Sequence, residues 1–171
     1  LITFRQDTTA GAPPEDPDET DLGETISFVR SDIRSVTILV ADIRSYTALS
    51  ERIEITTLSK LMSKWFYEVQ TLIESKNGRV DKFIGDCVMA IWDAQTSQKD
   101  MVLNCLGTAH ALQELTRDLG RKHELADDLR IGVGINTGIA AIGVGQENTV
   151  MGDTVNLAFR LESASKDLKR D

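Results

Sequence analysis

The chain has 171 residues, room for one domain and a tail, and its 41% hydrophobic and 27% charged residues are typical of a globular protein, not a collagen-like or wholly disordered one. The longest apolar stretches fall far short of the roughly 18 residues that suggest a membrane span, so we expect no direct membrane contact from this segment. The net charge of −8 comes mostly from residues 1–32, and because residues 33–171 carry no basic patch, we do not expect them to bind nucleic acid.

The first part of the chain differs in composition from the rest. Residues 1–32 contain 8 acidic and 2 basic residues and all 3 prolines, which predicts an acidic linker, with residues 2–5 as the end of an upstream domain. Residues 33–171 are predicted to form the folded domain. Cys87 and Cys105 do not form a Cys-x-x-Cys motif, so we expect buried, reduced cysteines in a cytoplasmic protein.

The folded part begins with a strand and a helix. The continuous apolar run at residues 36–41 predicts a buried strand that ends at Asp42. After a short turn, apolar residues recur at helical spacing over residues 58–73, and Asn77-Gly78 marks the end of this helix. The chain therefore enters the domain through a core strand and a long amphipathic helix.

A hairpin and a second long helix follow. Residues 79–84 and 87–92 are short strand-like runs on either side of Gly85-Asp86, which predicts a β-hairpin. Apolar residues at helical spacing predict a helix over about residues 99–119, with Gly120 as its end.

The last predicted elements are a strand pair and a helix. We expect strands at residues 129–136 and 139–144 around a turn at Thr137-Gly138, then a helix over residues 154–164 capped by Asp153. The order predicts an α+β fold with a ferredoxin-like β-α-β-β-α-β core, in which helices cover one face of a mainly antiparallel sheet.

Two aspartates lie at the ends of predicted strands. Asp42 follows the first strand and Asp86 lies in the hairpin turn, and the first and third strands of such a unit can be neighbours. Two carboxylates at one rim suit Mg²⁺ bound together with substrate phosphates. The alternative is structural, because aspartate often ends strands and occupies turns.

Asn156 and Arg160 are four residues apart on the last predicted helix, so they share one face. A fixed amide and a planar guanidinium suit a phosphate-containing ligand. The alternative is that both residues belong to the solvated face of an amphipathic helix.

Four sequence blocks, taken together and in order, resemble the catalytic motifs of class III nucleotidyl cyclases over about residues 35–165. They are VADIRSYT at 40–47, GRVDKFIGD at 78–86, IGVGINTG at 131–138 and TVMGDTVNLAFRLE at 149–162. The resemblance implies an adenylate cyclase that converts ATP to 3′,5′-cyclic AMP and pyrophosphate.

The resemblance also implies a metal site. Asp42, Asp86 and the backbone carbonyl of Ile43 are expected to hold two divalent ions, Mg²⁺ or Mn²⁺, with Ca²⁺ as an inhibitory occupant. Backbone amides near Tyr46 and Thr47, at the start of the short helix after the first strand, are expected to bind phosphate.

Four further residues receive roles by resemblance. Asn156 orients the ribose, and Arg160 meets charge that develops at the α-phosphate. Lys82 donates to adenine N1 and Thr149 accepts from the 6-amino group, whereas a guanylate-forming site more often has an acid at the lysine position.

Spacing adds one constraint, because Lys82 and Asp86 are four residues apart, or ~13 Å along an extended strand. The family resolves this with a head-to-tail homodimer in which each active site takes residues from both subunits. Relatives continue past Asp171 to a phosphate-binding lysine, so we expect the domain to be incomplete at this end. An upstream regulatory domain is expected in the parent protein.

Three alternatives remain open at the level of sequence. One is a guanylate cyclase, and another is a non-catalytic cyclase-like module that dimerises or regulates an attached domain. The third is a diguanylate cyclase, but residues 84–86 read Ile-Gly-Asp in place of the Gly-Gly-Asp/Glu-Glu-Phe hairpin of that class.

Overall fold

The computed structural model describes residues 32–93, 97–125, 128–144 and 149–167. Residues 1–31 lie outside this part, so the acidic linker and the end of an upstream domain stay predictions. None of the helices in the described ranges has the length and apolar character needed to span a membrane. The elements, in chain order, are β1 (Asp32–Ile43), α1 (Tyr46–Arg52), α2 (Ile55–Ser75), β2 (Arg79–Ile84), β3 (Cys87–Trp92), α3 (Gln98–Lys122), β4 (Ile131–Val144), β5 (Thr149–Met151) and α4 (Asp153–Asp167).

The strands form one sheet in the order β2-β3-β1-β4-β5, and every pair is antiparallel. The first and third strands are neighbours, which confirms the predicted ferredoxin-like core. The sheet is curled, because its outer strands β2 and β5 also contact each other. This curl brings side chains from the two edges of the sheet together.

Helices cover both faces of the sheet, so the expectation of one covered face is wrong. Alternate residues of β1, such as Leu39 and Ala41, face a core closed by α2 and α3. The intervening residues, such as Ile38 and Val40, face a second core against α4. The reason is that β1 is apolar on both sides, and each buried face needs its own cover.

The predicted turn at Thr137-Gly138 is also wrong, because β4 runs without interruption through both residues. Thr137 pairs with Thr37 and Gly138 with Val36, so the long strand β1 holds β4 along its whole length. Gly138 is explained by a close approach: a Cβ there would lie 2.6 Å from the Thr154 hydroxyl of α4. The second hairpin instead joins β4 to the short strand β5.

The two cysteines are buried and free, as the sequence predicts. Cys87 and Cys105 are both buried and not disulfide-bonded. Burial raises the pKa of each thiol to about 12, so neither carries a reactive thiolate near neutral pH.

Candidate active site

The structure brings Asp42 and Asp86 together at one rim of the sheet. Asp42 pairs with Cys87 across β1 and β3, which places it beside Asp86 in the preceding turn. Gly85 adopts the left-handed conformation, with φ of 62°, that this tight turn requires. Burial and the nearby Asp42 charge raise the pKa of Asp86. The two carboxylates therefore form an anionic site that favours a cation.

This repulsion predicts a pH-dependent gain in stability for Asp86→Asn. The raised pKa means that the folded chain disfavours ionised Asp86 relative to the unfolded chain. In metal-free protein, ionised Asp86 lowers the free energy of unfolding. This loss of stability is complete above the raised pKa of Asp86 and disappears as the pH falls below the ordinary value of 3.8. Asp86→Asn is therefore expected to be more stable than wild type at neutral pH, with the difference closing on acidification.

Thermal unfolding in the presence of a chelator, over a series of pH values, measures this difference. Asp118→Asn is the matched control, because the Asp118 side chain on α3 is 60% exposed. A stability advantage of Asp86→Asn that grows as the pH falls would contradict the prediction.

A cluster of charged side chains lies behind Asp42. Lys166 Nζ of α4 donates to Asp42 Oδ2 at 2.9 Å, and this hydrogen bond raises the pKa of Lys166. Next to it, Arg44 Nη1 pairs with Glu162 Oε1 at 2.8 Å, with both side chains largely buried. Arg44 also donates to the Ser165 hydroxyl. These contacts fix the end of β1 against α4.

Sequence reasoning missed this cluster, although two signals for it exist. Glu162 lies four residues after the buried Ala158, so it belongs to the stripe of α4 that faces the sheet. Gly132 of β4 is the second signal, because a Cβ at that position would overlap the Arg44 guanidinium. A glycine within a strand often marks such a close approach.

The residues after Asp42 border an open cleft. Ile43 is buried, with 2% of the residue exposed, and it pairs with Ile131 at the end of β1. Helix α1 starts at Tyr46, as expected, with Tyr46 partly buried and Thr47 exposed. The cleft has a volume of about 770 Å³, and its lining includes three arginines and two acidic residues as well as Ser45 and Ala48: Arg44, Arg52, Arg130, Glu124 and Asp128. The three guanidinium groups can attract the anionic part of a ligand.

Lys82 and Thr149 lie near each other although they belong to opposite edge strands. Thr149 Oγ1 donates to Asp81 Oδ2 at 2.7 Å, and Lys82 Nζ lies 3.9 Å from the same oxygen. Both predicted base-contacting residues therefore converge on one carboxylate, which the sequence analysis did not single out.

Asn156 and Arg160 are exposed on α4, beside the partly exposed Leu157 and Leu161. At about 100° per residue, they lie on a different face of the helix from Glu162, which is directed at Arg44. The structure therefore does not bring this pair to the Asp42 site of the same chain.

A family model described as "Adenylate and Guanylate cyclase catalytic domain" matches residues 28–169. Among curated proteins, the terminal-differentiation-specific adenylate cyclase of Dictyostelium discoideum is 34% identical over 142 residues, which cover 78% of this chain and 6% of that protein. An adenylate cyclase of Anabaena cylindrica is 30% identical over 155 residues, covering 84% of this chain and 30% of that protein. The chain thus spans less than a third of the length of these relatives.

Solved structures of both cyclase types are similar to this fold. The adenylyl cyclase CyaB from P. aeruginosa has a TM-score of 0.74 and 31% identity, with 80% of this chain and 74% of that chain covered. The guanylyl cyclase Cya2 has a TM-score of 0.70 and 32% identity, with coverages of 78% and 72%.

Proposed function

The chain belongs to the adenylate and guanylate cyclase catalytic domain family, and on that premise we propose that it converts ATP to 3′,5′-cyclic AMP and pyrophosphate. The observation that carries the choice of ATP is the convergence of Lys82 and Thr149 on Asp81. A lysine donor matches the acceptor N1 of adenine, whereas guanine presents an N1–H donor at that position. The Thr149 oxygen matches the 6-amino group.

Asp42, Asp86 and the Ile43 carbonyl would hold two divalent ions, Mg²⁺ or Mn²⁺, with Ca²⁺ as an inhibitory occupant. These oxygen donors fit such ions. A cation would offset the repulsion between the two carboxylates, and Asp42 already binds one cationic group, the Lys166 ammonium. The described residues contain no cluster of three or more His, Cys, Asp or Glu suited to a metal, and Mg²⁺ commonly uses one or two carboxylates plus substrate phosphates. When bound, the ions would lower the pKa of the ribose 3′-hydroxyl and offset phosphate charge.

The remaining roles are proposed from the resemblance to the family's motifs. The triphosphate is proposed to bind backbone amides near Tyr46 and Thr47, at the start of α1 and beside the cleft that Arg44, Arg52 and Arg130 line. Asn156 is proposed to orient the ribose, and Arg160 to stabilise charge at the α-phosphate. One such donor contributes ~3 kcal/mol to transition-state stabilisation.

A homodimer with shared sites accounts for the separation of these groups. Asn156 and Arg160 are exposed on α4, next to exposed apolar side chains, while Asp42 faces the Lys166 side of the same helix. A two-fold pair of subunits would place one subunit's Asn156 and Arg160 against the other's Asp42 and form two equivalent sites. An upstream regulatory domain and a cytoplasmic location are part of the proposal.

Product analysis tests the proposed reaction. The full-length protein with Mg²⁺ or Mn²⁺ is expected to form cyclic AMP from ATP with a higher kcat/KM than cyclic GMP from GTP. Both products are measured by chromatography under identical metal conditions. Equal or preferred use of GTP would overturn the choice of base, and no product from a dimeric, metal-loaded protein would favour a regulatory module.

Guanylate cyclase is the second candidate. It is supported by the similarity to Cya2, whose identity and TM-score are close to those of CyaB. Lys82 argues against it, because a cation at this position is mismatched with the N1–H of guanine.

A further inference from the structure

Asp81 is a buried carboxylate to which none of the roles above has been assigned. Its side chain is 1% exposed. It lies where the pairing of β2 with β3 shifts register between Val80 and Lys82. Such a β-bulge redirects a side chain out of the regular alternation and is frequent beside active sites. Burial of a charge without polar partners is costly, so the contacts of Asp81 indicate what holds it there.

Those contacts join the two edges of the sheet. Thr149 Oγ1 of β5 donates to Asp81 Oδ2 at 2.7 Å. Arg79 Nη1 lies 3.7 Å from Asp81 Oδ1, and Lys82 Nζ lies 3.9 Å from Oδ2. Because β2 and β5 are at opposite ends of the strand order, this contact is not part of the strand ladder. It places Lys82 and Thr149 beside the same carboxylate oxygen.

We propose that Asp81 is a positioning residue that makes the nucleotide site selective for adenine, by holding the Thr149 hydroxyl as an acceptor beside Lys82. The proposal rests on the proposed adenylate cyclase function and deepens it. The Asp81 carboxylate acts through the Thr149 hydroxyl, to which it is hydrogen-bonded.

The physical reason lies in the hydroxyl group. A threonine hydroxyl has one proton and two lone pairs, and a rotating hydroxyl can either donate or accept. Donation to Asp81 commits the proton, because an ionised carboxylate only accepts. The Thr149 oxygen then offers only lone pairs, which suit the 6-amino group of adenine and repel the 6-oxo group of guanine. Without Asp81 the proton is free to turn towards guanine.

The test compares the ratio of kcat/KM for ATP to that for GTP in the full-length protein. Asp81→Ala is expected to lower this ratio about tenfold, the value of roughly one hydrogen bond. Asp81→Val fills the vacated space with a residue that favours strands. If the alanine variant does not fold, the valine variant is expected to show the same decrease in the ratio. Asp93→Ala is the matched control, because Asp93 pairs with the same Arg79 at 3.7 Å, and it is expected to keep the wild-type ratio.

A double-mutant cycle with Thr149→Val distinguishes positioning from general destabilisation. If Asp81 acts through the Thr149 hydroxyl, Asp81→Ala should change the ratio little in the Thr149→Val background. Independent, additive effects on the ratio would overturn the assignment, as would loss of fold in both Asp81 variants or an unchanged ratio in either.

A wild-type protein that prefers GTP, or forms no product, would overturn the proposed function itself, whereas a selective wild type with equally selective Asp81 variants would overturn this inference alone.

Discussion

Asp42→Ala and Asp86→Ala proteins are each expected to lose cyclic-nucleotide formation by at least about a thousandfold while remaining folded. Each change removes one of the two carboxylates that we assign to the divalent ions, and such ions contribute several kcal/mol to charge stabilisation in the transition state. Product formation at saturating ATP and metal, together with circular dichroism and thermal unfolding, measures both parts of the expectation.

The stability part follows from the surroundings of the two residues. Asp86 already resists ionisation because of burial and Asp42, so removing either charge relieves repulsion. Asp118→Ala is the control, since Asp118 is an exposed aspartate that pairs with Arg121 on the same helix; its activity should match that of wild type. Variants of Asp42 or Asp86 that unfold at ambient temperature would support the structural alternative, in which these residues only end a strand and shape a turn.

Local sequence signals predicted the parts of the fold that depend on local physics. The Gly85-Asp86 hairpin depends on a local turn conformation, and the helix around Trp65 depends on the amphipathic spacing of its own residues. The structure contains both elements. The turn predicted at Thr137-Gly138 is wrong, because a glycine permits close packing as well as a turn. Only the position of α4 against β4 shows which of the two applies.

The parts of the site that the sequence did not reveal depend on long-range contacts. Thr149 and Asp81 are 68 residues apart, and Lys166 and Asp42 are 124 apart. No local pattern marks Asp81, because its importance arises from the curl of the sheet and from a β-bulge. Asp42 and Asp86 were accessible to sequence reasoning for the opposite reason. Each one lies at the end of a predicted strand, and the topology makes those ends adjacent.

The proposed division of residues between subunits leads to the last prediction, a complementation experiment. Asp42→Ala and Asn156→Ala proteins are each expected to be inactive, because every site in either homodimer lacks one required group. In a mixed dimer, one site collects both lesions. The other takes Asp42 from the Asn156→Ala chain and Asn156 from the Asp42→Ala chain, so that site is intact.

Random exchange makes about half of the dimers mixed, and each mixed dimer has one intact site of two, so activity should recover to roughly a quarter of the wild-type value. The measurement is cyclic AMP formation after co-refolding or prolonged mixing, with subunit exchange verified by differently tagged chains. Asp42→Ala mixed with Asp86→Ala is the matched control, because both lesions fall in the same subunit's share of the site and no intact site can form. Recovery in the first mixture but not in the second would require that Asn156 acts across the subunit boundary. Verified exchange without recovery would instead mean that each subunit builds its own site, so that the exposed face of α4 serves another purpose.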